Sequence, residues 1–300
     1  MRPAGYDAPA AARKPGARSR FALAPQGIPG VYQCMLTKHP REAEFLLIDI
    51  GNTHAKLRLA SPEALLGTTH RLPTARLLDP DSGADALIRV VDRWKYRRAV
   101  LCSVVPAATR LVTHVLGAAQ ILRVHQRLDI GVDLSSYPGR KTLGADRLAN
   151  MAGAMALYGP GPLIVAGFGT AAVFNVIDAR GRFLGGVIAP GLAAIHASLP
   201  ARTAQLPFRR LTAPARAIGR TTRESLAAGT VLGYRGLVRE ILAALQAESG
   251  PARVIATGGD AGFLAAQTGA FDVVAPDLTL EGLRVIAQLP SPVRETDCAS

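Results

Sequence analysis

Aromatic residues make up only 5% of this 300-residue chain, with a single tryptophan, so Ala, Leu, Val and Ile must fill any core. The three cysteines, Cys34, Cys102 and Cys298, are too few and too scattered for a disulfide framework or a zinc site. A reduced cytoplasm is the natural compartment for such a chain. No apolar run reaches the roughly 18–20 residues of a membrane span. Acids are scarce beside bases: 22 Asp and Glu against 35 Lys and Arg leave a net charge of +13. That balance suits nucleic acid, but the arginines spread along the whole chain and no aromatics interleave with them to stack on bases. Abundant arginine and alanine with little lysine is the bias of a GC-rich genome, so nucleic acid is not the expected partner. The histidines are scattered without ligand spacing.

The chain does have a 49% hydrophobic content and a length that fits two domains, each large enough for its own core. Residues 1–44 stand apart: Pro, Ala, Gly and Arg dominate, and no helical or strand periodicity begins before Phe45. They read as a disordered N-terminal extension, or as sequence upstream of a chain that begins at Met35. From Phe45, strand-like runs (45–50, 54–60, 99–105, 162–167, 172–178, 182–188, 253–257) alternate with helix-like runs (83–95, 107–117, 145–158, 191–199, 221–246, 260–268, 279–288). Such alternation implies α/β layers with helices covering buried sheets. Gly229 and Gly233 within the long run 221–246 suggest close helix packing there.

Phe45-Leu46-Leu47-Ile48-Asp49-Ile50-Gly51-Asn52-Thr53 recurs in altered form at Leu163-Ile164-Val165-Ala166-Gly167-Phe168-Gly169-Thr170, about 118 residues later. Each copy is a buried strand that breaks into a Gly-containing turn ending on Thr, followed by more strand-like sequence. The pair suggests a duplicated unit with a cleft between halves, each half offering a turn to a phosphate. Glycine lets backbone approach an anion, and Asn and Thr side chains can donate to its oxygens. Alone, Asp-x-Gly-Asn-Thr is equally an ordinary hairpin turn. Asp49 at a buried strand end would be costly unpaired, and could instead hold Mg²⁺–ATP through water. Lys56 points either to the same phosphates or to solvent. A third turn, Thr257-Gly258-Gly259-Asp260, offers N–H groups at a helix start, suited to a nucleotide.

Leu143-Gly144-Ala145-Asp146-Arg147 opens the helix over 145–158. Its acid either favours the helix dipole or takes a proton from a substrate hydroxyl. Its arginine makes either a surface ion pair or a bidentate grip on a carboxylate. Thr203, in Arg202-Thr203-Ala204-Gln205-Leu206-Pro207, is either a substrate donor or a loop threonine.

Taken in order, these pieces resemble the type III pantothenate kinase (Bvg accessory factor) family. The matching stretches are 49–53, Tyr137 nine residues before Asp146, 143–147, 168–171, 181–191, 202–207, 256–259 and 276–283. Each is weak singly, and their order and spacing together are specific. The resemblance implies the acetate and sugar kinase/Hsp70/actin fold, with ribonuclease-H-like domains at 45–148 and 149–292. It implies transfer of the γ-phosphoryl of ATP to pantothenate, giving 4'-phosphopantothenate in the first step of coenzyme A synthesis. Asp146 would then be the general base. Asp49, Gly51, Asn52, Thr53, Lys56, Gly169, Thr170, Gly258 and Gly259 would hold ATP, with Asp49 also holding Mg²⁺ through water. Tyr137, Gly144, Ala145, Asp146, Arg147 and Thr203 would bind pantothenate. Thr203's family counterpart reaches across a dimer interface, so a homodimer is implied.

The family pattern in the second turn is Asp-x-Gly-Thr-Ala-x-Thr-x-Asp, whose first Asp binds a monovalent cation such as K⁺ or NH₄⁺. This chain reads Gly167-Phe168-Gly169-Thr170-Ala171-Ala172-Val173-Phe174-Asn175, without either acid or the second hydroxyl. Arg140 stands where a proline is common. These departures oppose the cation site and leave an alternative, a non-catalytic regulatory relative that binds nucleotide or pantothenate. Retention of Asp146 and Arg147 favours the kinase.

Overall fold

The computed structural model describes residues 42–198 and 212–290. The first half runs β1 (Glu42–Ile50), β2 (His54–Ala60), β3 (Leu65–Pro73), α1 (Thr74–Leu77), α2 (Gly83–Val91), β4 (Lys95–Ser103), α3 (Pro106–Leu116) and β5 (Ile121–Arg123). Helix α4 (Ala145–Tyr158) follows. The second half runs β6 (Leu163–Phe168), β7 (Ala171–Ile177), β8 (Phe183–Pro190), α5 (Leu192–Ser198), α6 (Thr222–Ser249), β9 (Arg253–Thr257), α7 (Ala261–Thr268), β10 (Val273–Val274) and α8 (Leu278–Ile286).

The two sheets have the same topology. One is ordered β3-β2-β1-β4-β5 and the other β8-β7-β6-β9-β10. In each, the first three strands form an antiparallel meander and the last two run parallel to the first. The duplication suggested by the two turns is therefore a duplication of ribonuclease-H-like units. The central strands β1 and β6 read as continuous apolar runs because both faces are covered. Leu46, Ile48 and Ile50 pack outward with α2 and α3, and Ile164, Ala166 and Phe168 outward with α6 and α7. Phe45, Leu47, Leu163 and Val165 point inward into one cluster with α4 and α8.

Helices α4 and α8 lie between the sheets and touch backbone to backbone. A Cβ at Gly282 would fall 1.8 Å from the Ala149 carbonyl oxygen, and one at Gly153 2.8 Å from that of Leu278. Close helix packing therefore occurs here and not at Gly229 and Gly233 of α6, which have no described atom within 4 Å of an added Cβ. Polar bonds tie α8 to the first half: Arg58 pairs with Asp277 at 2.9 Å, and Arg284 and Gln288 both donate to the Pro62 carbonyl.

Three sequence expectations shift. Residues 42–44 belong to β1 and not to the N-terminal extension; Glu44 pairs with Arg97 of β4 at 3.1 Å. The divide expected at 148/149 falls inside α4, a single helix shared by both inner faces. Helix α2 ends at Val91, short of the expected residue 95, because the chain turns at Asp92–Trp94 to start β4.

Candidate active site where the two strand-end turns meet

Strand β1 ends by closing a tight turn, with Gly51 N–H donating to the His54 carbonyl at 3.0 Å. Thr74, the buried first residue of α1, pins it twice: its Oγ1 donates to the Gly51 carbonyl at 2.7 Å and its N–H to that of Thr53 at 2.9 Å. In the second half Gly169 N–H donates to the Ala171 carbonyl at 3.1 Å. The Gly258-Gly259 turn lies directly on this second turn. Gly258 has φ +98°, and a Cβ there would meet the Phe168 carbonyl oxygen at 2.1 Å, so only glycine serves. Gly169 and Gly259 have no described atom within 4 Å of an added Cβ, which leaves their backbone open to a ligand. The two halves meet at the turns: Thr53 Oγ1 and Thr170 Oγ1 are 3.3 Å apart, both exposed.

Asp49 is 8% exposed, just behind the first turn. Strand register places it between Lys56 on β2 and Cys102 on β4. Lys56 Nζ lies 3.4 Å from its Oδ2, so this lysine turns to the acid and not to solvent. Burial pushes the Asp49 carboxyl above its ordinary range; Lys56 pulls it down, and the charge of Asp146 pushes it up again. Burial, with the charges of Asp49 and Asp146, also drives the Cys102 thiol well up, so it stays neutral and is no nucleophile.

Asp146 occupies the first turn of α4, after Gly144. Its Oδ1 accepts from the Arg147 N–H at 2.8 Å and folds back over Gly144, where a Cβ would come within 2.5 Å of that oxygen. Gly144 thus makes room for the carboxylate. Ala145 is buried and offers only backbone to a substrate. Arg147 donates from Nε to Asn175 Oδ1 at 2.8 Å, and its guanidinium lies 5.6 Å from the Phe183 ring centre. Tyr137 packs edge-on against the same ring at 4.7 Å. Thr203 lies outside the described residues. Thr74, Asn175 and Phe183 touch these candidate residues through contacts distant in the chain, and the sequence proposed none of the three for the site.

A K⁺ site does not fit these residues. Gly167 supplies no carboxylate, and the Asn175 oxygen is taken by a cation, Arg147. Buried Thr257 Oγ1 has no described partner, but a lone hydroxyl is a poor set of oxygens for an ion. Among the described residues no three His, Cys, Asp or Glu gather to hold a metal. Mg²⁺ makes a smaller demand, since it keeps several waters and takes one or two carboxylates plus phosphates; Asp49 fits that role.

The sequence model of a family described as type III pantothenate kinase matches residues 45–244. A type III pantothenate kinase of Akkermansia muciniphila is 45% identical over 248 residues, 82% of this chain and 98% of that protein. One from Dehalococcoides mccartyi is 36% identical over 263 residues, 85% and 99% of the two chains. One from Thermus thermophilus is 39% identical over 246 residues, 79% and 96%. Among solved structures, a Baf family protein of Campylobacter jejuni superposes with a TM-score of 0.51 at 21% identity, covering 80% of this chain and 96% of that one. A protein of Sinorhizobium meliloti described as a 2-dehydro-3-deoxygalactonokinase gives 0.52 at 15%, covering 81% and 98%. These two likenesses concern the fold alone, the two-unit fold of the sugar kinases.

Proposed function

The chain belongs to the type III pantothenate kinase family: it transfers a phosphoryl group from ATP to pantothenate, and we propose how its residues divide that work. The observation that carries the reading is the meeting of the Thr53 and Thr170 turns, with Asp49 behind the first. Asn52 and Thr53 from one half and Thr170 from the other would donate to the phosphates, Gly51 and Gly169 would let the backbone of each turn come close to them, and Gly258-Gly259 would serve the nucleotide. When bound, Mg²⁺ supplies charge neutralisation at the β- and γ-phosphates. Asp49 would hold it through water, with Lys56 balancing and orienting that carboxylate.

Arg147 spends only Nε on Asn175, which leaves its terminal nitrogens for the pantothenate carboxylate. Tyr137 would pack beside it. The pantothenate hydroxyl oxygen then attacks the γ-phosphorus, the bond to the β–γ bridging oxygen breaks, and ADP leaves. The hydroxyl proton passes to Asp146. Such a reaction asks mostly for alignment and charge stabilisation, which the turns and one base supply. Asp146 and Arg147, adjacent at the start of α4, support the kinase reading, and no observation favours a non-catalytic relative.

The misfit at Gly167 and Asn175 supports activity without a monovalent cation. A homodimer, bringing Thr203 of one protomer to the other's site, is supported by edge strand β8, where Leu184 and Ile188 are 48% and 64% exposed. No helix among the described residues is long and apolar enough to cross a membrane; a cytoplasmic setting, where ATP is abundant, completes the proposal. A coupled ADP-release assay tests the reading. Release should require pantothenate and Mg²⁺. A protein that binds ATP yet releases no pantothenate-dependent ADP, with or without K⁺, would defeat it.

A further inference from the structure

Helix α3 and strand β5 border a groove of about 660 Å³ on the outer side of the first sheet. That volume lies within the roughly 300–1,000 Å³ of small-molecule sites. The groove lies on the outer face of the first sheet: Ala108 and Val112 of α3 pack with Ile121 in the outer cluster, whereas α4 and α8 cover the inner face. Its lining carries Arg110, His114 and Arg123 and no acid. Arg110 and His114 are four residues apart on α3 and share a helical face. Arg123 is two residues beyond Ile121 and so shares its face of β5.

Among the described residues, these three side chains have neither hydrogen-bond nor ion-pair partners. Three other arginines are matched to acids: Arg58 with Asp277, Arg182 with Asp178, Arg284 with Glu281. Two unmatched guanidiniums around one hollow repel each other, and an anion between them relieves the repulsion. Hydroxyls complete the lining. Thr113 Oγ1 is buried without a described partner, and Thr109 Oγ1 donates to Ser103 Oγ at 2.8 Å.

We infer that this groove is a second anion site, distinct from the ATP cleft, for a small phosphate-bearing molecule with at least two negative charges. Two guanidinium forks and an imidazole offer more donors than one carboxylate can accept, which favours phosphate oxygens. One end of the groove adjoins the catalytic loops. Val104 lines it, donates from its N–H to the Ile50 carbonyl at 3.1 Å, and lies 3.7 Å from where a Cβ on Gly144 would sit.

The probe is inorganic pyrophosphate, titrated calorimetrically into the full chain. Three proteins are compared: the unmodified chain, Arg110→Ala/Arg123→Ala, and Arg93→Ala/Arg127→Ala, which removes the same charge from exposed positions outside the groove. Arg110 and Arg123 are both exposed, so their loss should leave the fold intact. Saturable binding is expected, weakened at least tenfold by the groove pair and little changed by the control pair. Unchanged affinity in the groove pair would place the probe in the cleft and overturn the inference. Equal losses in both variants, or no saturable binding at all, would overturn it too. The inference does not rest on the kinase reading: absent ADP release would defeat that reading while this binding result stood.

Discussion

Thr53 and Thr170 bring their hydroxyls within 3.3 Å of each other across 117 residues of chain. Each ends the glycine turn of a central strand, so the contact joins the same point of two copies of one unit. Their exposed hydroxyls lie side by side where the two halves meet. A triphosphate held there would be gripped from both halves at once, which suits a transfer whose charge must be stabilised on several oxygens.

Asp146→Asn should lower pantothenate-dependent turnover by about 10²–10⁴-fold, the usual contribution of a general base. ATP binding should remain, because Asp146 touches neither turn. Turnover near that of the unmodified enzyme would remove Asp146 from proton transfer.

Asp49→Asn should separate stability from activity. Burial holds the Asp49 carboxyl above its unfolded value, so the stability tied to its protonated form is fully present below the unfolded pKa and lost as pH rises through the folded one. Asn carries no such charge. The melting temperature of the variant, without nucleotide or metal, should match the unmodified protein in acid and exceed it increasingly toward neutral pH. Mg²⁺–ATP use should meanwhile fall sharply. A difference of the opposite sign would show that Lys56 outweighs burial.

Activity should depend little on K⁺ when rate is followed at constant ionic strength with Na⁺ as the balancing ion. A side chain at Gly167 meets nothing closer than Asn150 Nδ2 at 3.8 Å, so Gly167→Asp should fold. Restoring one acid should raise the K⁺ response, more so in combination with Asn175→Asp. Strong saturable activation of the unmodified enzyme by K⁺ would refute the misfit described above.

Gly282→Ala should be destabilising by at least about 1–3 kcal/mol, the usual cost of overpacking. The added methyl meets backbone at Ala149 and not a flexible side-chain tip. Chemical denaturation checks this; a loss under about 0.5 kcal/mol, the range of neutral surface changes, would mean the helices separate freely.

Much of this was legible from periodicity. Helix α4 begins and ends where the sequence places it, because Gly144 and Gly159 bracket an alanine-rich run. The central strands stand out because double burial leaves them wholly apolar. Strand β3 does not: it is a sheet edge with no buried residue, rich in Thr and interrupted by Gly67. Strands β5 and β10 are three and two residues long, too short for a period. At the site, the turn residues were readable from local chemistry. Thr74 was not, since a threonine opening a single helical turn carries no mark of the carbonyl it binds. Asn175 looked like the loss of an acid; its partnership with Arg147 became visible only in the fold. The α6 glycines misled because glycine spacing alone does not say which helix comes near.

The placement of α4 and α8 between the sheets has a consequence for how the protein melts. The inner cluster draws Phe45, Leu47 and Val100 from one sheet, Leu163, Val165 and Ile255 from the other, and both helices. Neither half can close its own core without a helix that the other half also needs. Two repeated units therefore share one cooperative transition, and calorimetric and van't Hoff enthalpies should agree for the whole chain. A fragment ending before α4 would leave an apolar sheet face bare to water and would aggregate instead of folding as a smaller protein.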